Sequence, residues 1–406
     1  MLNCRIVQVL YVYHMVLSSV ENTFAYAMED LSSANTQFAL NLYRILCETK
    51  SNGNIFFSPL SITSALAMVY LGAKGNTAAQ MAKGLSFNTT SHVHSDLQKF
   101  ISDIKKPDAP YLLKLANRLY GEKTFSFLQE FLDSTQKFYN ADLMPVDFIG
   151  ASAACRGQIN QWVEEQTNGK IKELLKPGSI NSMTRMALIN AIYFKGDWLK
   201  KFDANNTKEM SFRINQKETK PVQMMYQKEK FPFNYISEYE LQVLELPYKS
   251  EELSMFILLP QEAKNGSNPL QKLEKELTLE KIQEWTERHN MDTGTDICVH
   301  LPKFKLEDDY ELKAPLVSLG MTDVFDAAQA DLSGMNGTGG LFLSTVVHKS
   351  FVEVNEEGTE AAAATAGIVA FAMFREEYFV ADHPFLFFIR HNKSKTILFF
   401  GRFSSP

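Results

Sequence analysis

The chain has 406 residues, of which 45% are hydrophobic and 12% aromatic, enough apolar material for one large core. Its formal net charge of −6 and sequence pI near 5.8 argue against a dedicated nucleic-acid binder, which presents a basic face. The lysine pairs Lys105-Lys106 and Lys200-Lys201 belong to no larger basic, aromatic-interleaved patch and read as solvated surface.

At the N-terminus Arg5 precedes a mostly apolar stretch from Ile6 to Leu17, followed by Ala25-Tyr26-Ala27. Together they fit a signal peptide with a small-residue cleavage site, and the stretch is too short to span a bilayer, so no membrane partner is expected. Gln8, Tyr11, Tyr13 and His14 interrupt its apolar character. The alternative, which we favour, makes residues 1–27 an extraneous upstream leader and Met28 the true start. Helical periodicity then covers Ser32 to Cys47. Ser58-Pro59 reads as a helix start, with Ser capping exposed amides, Pro in the first turn, and Leu66, Val69, Tyr70 and Leu71 following.

Thr77-Ala78-Ala79-Gln80 fits a capping box, and further helical patterns span Phe127 to Phe138, Ile159 to Leu175 and Leu270 to Glu287. Strand-like runs come later, at Met186 to Phe194, Leu253 to Leu259, Ile297 to Leu306, Val346 to Val354 and Ile397 to Phe403. The loops at 105–110 and 262–269 are too short for disordered interdomain linkers, and no internal repeat is visible. Helices first and a mixture afterwards argue for an α+β fold rather than a regular wound parallel sheet.

Cys4, Cys47, Cys155 and Cys298 lie far apart and show neither CxxC nor Cys/His metal spacing, so the expectation is free thiols, no metal and no cofactor. That usage suits a reducing compartment. There is no GxSxG elbow, HExxH, Walker loop or GxGxxG after a strand. His348 and His383 sit in apolar surroundings without a nucleophile or orienting acid linked to them by motif. They read as hydrogen-bonded structural histidines rather than general bases, and catalysis by this chain is not expected.

Near the C-terminus, Glu356-Glu357-Gly358-Thr359-Glu360-Ala361-Ala362-Ala363-Ala364-Thr365-Ala366-Gly367 leads into apolar Ile368-Val369-Ala370-Phe371-Ala372-Met373-Phe374. Four alanines favour a surface helix, but Gly358 and Gly367 limit its length. The alternative is a mobile segment whose small side chains could enter a tight slot and whose apolar tail would suit a protease pocket. This segment resembles the hinge and reactive loop of the serpins. Phe379-Val380-Ala381-Asp382-His383-Pro384-Phe385-Leu386-Phe387-Phe388-Ile389 is similar to that family's long and specific C-terminal signature. The resemblance runs from about Met28 to Pro406 and is strongest to the ovalbumin-like intracellular branch (clade B), particularly its elastase-inhibiting members.

The resemblance implies a single serpin domain over residues 28–406, with a helix-rich first half, a large mixed central sheet, two further sheets and an exposed reactive loop at about 356–377. It implies an irreversible suicide-substrate inhibitor of serine proteases, monomeric and forming a 1:1 covalent complex. Ser58, Ser61, Asn190 and His348 resemble the polar cluster beneath the central sheet that must open for the loop to insert. Trp198, Lys303 and Glu356 resemble the group at the top of that sheet where insertion begins.

The spacing kept by inhibitory members, carried over from Glu356, puts the attacked bond at Ala372-Met373, with Phe371 and Phe374 as alternative cleavage sites. A small residue at 372 suits a shallow apolar pocket, so the implied partners are neutrophil elastase-like and proteinase 3-like enzymes, with cathepsin G-like or chymotrypsin-like ones served by the phenylalanines. Close relatives carry Cys where Ala372 stands. The implied location is the cytoplasm, with release or secretion to the extracellular space. The competing function is a non-inhibitory serpin acting as a storage, carrier or protein-interaction module. The hinge from Gly358 to Thr365 carries none of the bulky, charged or proline insertions at alternate positions that such members place there.

Overall fold

The computed structural model describes residues 29–87, 92–262, 268–357 and 376–406. The leader at 1–27 and the loop from Gly358 through Ala372-Met373 to Arg375 lie outside them. In chain order the first half holds α1 (29–49), β1 (Ile55–Phe57), α2 (Pro59–Gly72), α3 (Gly75–Gly84), α4 (Val93–Ile104), β2 (Tyr111–Glu122), α5 (Gln129–Tyr139), β3 (Leu143–Val146), α6 (Phe148–Gln166) and β4 (Met186–Gly196). The second half holds β5 (Lys208–Asn215), β6 (Glu218–Glu229), β7 (Phe233–Ile236), β8 (Leu241–Pro247), β9 (Leu253–Pro260), α7 (Pro269–Glu276) and α8 (Leu279–Trp285). It ends with β10 (Asp296–Pro302), β11 (Phe304–Glu311), β12 (Thr345–Val354), β13 (Glu376–Val380), β14 (Phe385–His391) and β15 (Thr396–Phe403).

These strands form three sheets, ordered β11-β12-β4-β2-β3, β1-β15-β14-β9-β8-β7 and β13-β10-β6-β5. The five-stranded sheet is mixed: β4 runs antiparallel to β2 but parallel to β12, in register from Ala187 opposite Thr345 to Phe194 opposite Val352. The main core lies between this sheet and the phenylalanine-rich six-stranded one, whose Phe387, Phe388, Phe399 and Phe400 are wholly buried. A second apolar cluster, with Phe148, Ile159 and Val163 of α6 against Ile189, Ala191 and Phe351, covers the other face of the five-stranded sheet.

The α+β expectation holds, and so does the helix start at Ser58, whose side chain accepts from the Ser61 N–H with Pro59 in the first turn. Several boundaries differ. The expected capping box at Thr77 is absent, since α3 starts at Gly75 and Thr77 instead accepts from the Asp331 N–H at 2.9 Å. Gln80 likewise turns away and accepts from the Asp323 N–H at 2.8 Å. The helix read from Ile159 to Leu175 stops at Gln166, because Asn168 and Gly169 take positive φ (53° and 74°) and turn the chain back. Leu270 to Glu287 divides into α7 and α8, with Thr278 capping the second helix. Ile297 to Leu306 is two strands in two different sheets, parted at Lys303.

Candidate functional site

The parallel seam between β4 and β12 is crossed at mid-length by a row of polar side chains. Asn117 on β2 pairs with Asn190 on β4, and Asn190 with His348 on β12, so all three lie side by side on one face. The N-terminus of α2 is aimed at this row. The Ser58 N–H donates to His348 Nε2 at 3.1 Å, and the Ser58 hydroxyl donates to the Leu398 carbonyl at 2.6 Å while accepting from the Ser61 N–H at 3.2 Å. Because Nε2 accepts, Nδ1 carries the imidazole hydrogen and gives it to the Asn190 carboxamide oxygen. The Asn190 amide donates to the Ser61 hydroxyl at 2.5 Å and to Asn117 Oδ1, and the Asn117 amide donates to the Ser64 hydroxyl at 2.9 Å.

Full burial pushes the His348 pKa down to about 3, so the row is neutral and held by directed hydrogen bonds alone. Separating β4 from β12 breaks the His348–Asn190 bond, and buried polar groups left unpaired cost about 1–3 kcal/mol each. The structure thus places Ser58, Ser61, Asn190 and His348 side by side, the grouping that the resemblance implied. It adds Asn117, which sits beside Arg118 in a strand also interrupted by Lys114 and carries no distinct sequence signal.

At the upper end of the same seam the chain leaves β12 and is pinned at once. The Trp198 indole N–H donates to the Asn355 carbonyl (2.9 Å), the Trp198 backbone N–H to the Glu357 carbonyl (3.1 Å), and the Phe202 N–H to the Glu356 carbonyl (2.8 Å). The Glu356 carboxylate is held between Lys303 Nζ (2.8 Å) and the Thr207 hydroxyl (2.8 Å). Burial alone would raise its pKa, but these two donors outweigh it and hold the group below the usual carboxylate range. Trp198 itself is clamped against Tyr248, their rings stacked 4.5 Å apart. Trp198, Lys303 and Glu356 therefore meet as expected. Thr207 and Tyr248, which complete the clamp, carry no local sequence signal.

The other end of the intervening segment enters β13, an edge strand parallel to β10 in the four-stranded sheet. Residues 358–375 thus connect two different sheets. His383 faces a hydrogen-bond acceptor at each ring nitrogen, Asp382 Oδ1 at Nδ1 (2.8 Å) and the Pro260 carbonyl at Nε2 (2.7 Å), so its contacts, like those of His348, are to neighbouring structure. Cys47, Cys155 and Cys298 are free thiols. Among the described residues no group of three or more His, Cys, Asp or Glu could hold a metal ion, and no helix is long and apolar enough to cross a membrane.

Residues 33–406 match the family described as serpin, serine protease inhibitor. The chain belongs to the serpin family. It is 59% identical to the leukocyte elastase inhibitor of Homo sapiens and 58% identical to that of Equus caballus, each time over 380 residues that cover 93% of this chain and 100% of the relative. Among solved serpins, uncleaved ovalbumin superposes with a TM-score of 0.85 at 40% identity, covering 93% of this chain and all of that one. A maspin crystal structure gives 0.86 at 38% identity, covering 94% of this chain and all of its own. A loop-inserted, cleaved ovalbumin mutant gives 0.83 at 38% identity, covering 93% of this chain and all of that one.

Proposed function

We propose that this serpin is an irreversible inhibitor of elastase-like serine proteases that is cut at Ala372-Met373 and then draws its loop into the seam between β4 and β12. The observation that carries this reading is the parallel seam itself. A chain that leaves β12 at Val354 and folds back runs antiparallel to both neighbours. Insertion would thus replace one parallel ladder by two antiparallel ones, which are slightly more stable per residue. The clamp on residues 355–357 sits where that strand would begin, and the polar row is the latch that must part to admit it. As an inserted strand the hinge from Gly358 to Thr365 would turn Thr359, Ala361, Ala363 and Thr365 to one side and Glu360, Ala362 and Ala364 to the other. Nothing bulky opposes its passage.

About a dozen new strand hydrogen bonds at a net of roughly 1 kcal/mol each give on the order of 10 kcal/mol. That is enough to drag an acylated protease and distort its active site. The names of the close relatives support elastase-like targets, and Ala372 fits a shallow apolar primary pocket. Neutrophil elastase-like and proteinase 3-like enzymes are the first partners, with cathepsin G-like or chymotrypsin-like ones cutting at Phe371 or Phe374. Action in the cytoplasm, or outside the cell after release, is part of the same reading.

The test is incubation with neutrophil-type elastase, followed by denaturing electrophoresis and mass analysis of the freed C-terminal peptide. The expected result is a detergent-stable 1:1 adduct and a peptide that begins at Met373. Complete cleavage without adduct would move the protein to the non-inhibitory class.

A further inference from the structure

One face of the four-stranded sheet carries a cavity that neither the latch nor the clamp uses. It holds about 300 Å3 and is lined by Asn206, Lys208, Met210, Met224, Tyr226 and His300. The register explains why these side chains converge. Lys208 is opposite Met224, Met224 opposite Pro302, and Tyr226 opposite His300, while residues two apart along a strand point the same way. Lys208 and Met210, Met224 and Tyr226, and His300 therefore share one face. On β6 and β10 the alternates Met225, Val299 and Leu301 are wholly buried on the opposite face, while Lys208 at the cavity's edge is exposed.

The chemistry of its walls is specific. Two thioethers provide a soft apolar lining that adapts to the shape of an occupant, and the Tyr226 and His300 rings lie beside them, 4.9 Å apart. At the rim stand the exposed Lys208 ammonium and the Asn206 carboxamide. None of the six lining side chains is a carboxylate, and the Lys208 ammonium is the one fixed charge among them.

We propose that this cavity binds a small organic anion with a flat apolar body, of the aromatic carboxylate class. The body lies between Met210, Met224 and Tyr226, and the carboxylate meets Lys208 and Asn206. The volume stands at the small end of ligand pockets, which restricts the occupant to about one or two rings. Thr207, between the two rim residues, is the hydroxyl that holds Glu356, so an occupant rests against the segment that clamps the loop. The proposal stands independently of the protease-trapping reading.

It is tested with the full chain labelled at its methionine methyl carbons and titrated with 2-naphthoate. The Met210 and Met224 signals, assigned through Met210→Leu and Met224→Leu, are expected to shift saturably while other methionine signals stay in place. Lys208→Gln, a change at an exposed side chain, and the neutral probe 2-naphthamide each weaken binding by up to about fivefold, the weight of one rim ion pair. The proposal is overturned by any of three results: no saturable shift up to the solubility limit of the probe, shifts confined to other methionines, or equal affinity for 2-naphthoate in the Lys208→Gln protein.

Discussion

His348 accepts one hydrogen bond from the Ser58 amide and gives another to Asn190, with no solvent contact. Its neutral form is the one the fold needs, because a second ring proton would meet the Ser58 N–H head-on. Burial sets its pKa at about 3, against 6.5 for the free side chain. The unfolded chain therefore takes up a proton below pH 6.5 that the folded one refuses. The resulting contribution is complete above pH 6.5 and is lost as pH falls toward 3, by about 1.4 kcal/mol per pH unit. His94 and His391 are also lowered by burial, each to about 4, and bend the stability curve the same way. The His348→Gln variant, which can still accept and donate at this position, isolates the latch. Between pH 6.5 and 5 the wild type should lose about 2 kcal/mol more unfolding free energy than the variant, and parallel curves would show that His348 is not held neutral.

Among the elements, β4 is the one whose details matter most, since it forms one lip of the seam and carries the clamp at its upper end. Gly196 closes the strand. A Cβ there would lie 2.7 Å from Phe194 Cζ and 2.9 Å from Tyr248 Cδ1, and Tyr248 is the ring on which Trp198 is stacked. Gly196→Ala should therefore push Tyr248 aside and destabilise the intact form by about 1–3 kcal/mol, as overpacking does. Amide exchange at residues 355–357 should quicken at the same time; unchanged exchange would show that the Trp198–Tyr248 stack does not anchor the stem. The sequence reveals such elements unevenly. The start of α2 was legible because its cap is local, with Ser58, Ser61 and Pro59 within one turn. The false capping box at Thr77 was not, because a remote backbone amide at Asp331 takes the hydroxyl. β2 has no clear sequence signature because Lys114, Asn117 and Arg118 interrupt its alternation, although it pairs along the whole of β4. The change of sheet at Lys303 falls within a continuous apolar pattern and has no local mark at all.

At the scale of the molecule, the α+β class and the small-residue loop could be read from the residues themselves, whereas the seam could not. It joins strands far apart in the chain, and periodicity says nothing about which strands meet or in what direction. The resemblance to serpins supplied the central sheet, and the structure supplied its parallel register and the row of Asn117, Asn190 and His348 across it. Those features make one thermodynamic demand of the proposed trap: the intact molecule must lie well above the cleaved one in free energy. In the proposed trap a nick at Ala372-Met373 would free the hinge to enter the seam and gain on the order of 10 kcal/mol. The intact protein should melt in the ordinary range for a mesophilic protein, about 45–65 °C, and the nicked protein above about 90 °C. Thr359→Arg supplies the control, because a guanidinium at this position would have to be buried without a partner as the strand closes. That variant should still be cut at the same bond, yet form less adduct with elastase and show a smaller rise in melting temperature. If the wild-type melting curves coincide before and after the nick, the sheet gains no strand and no energy remains to hold a protease.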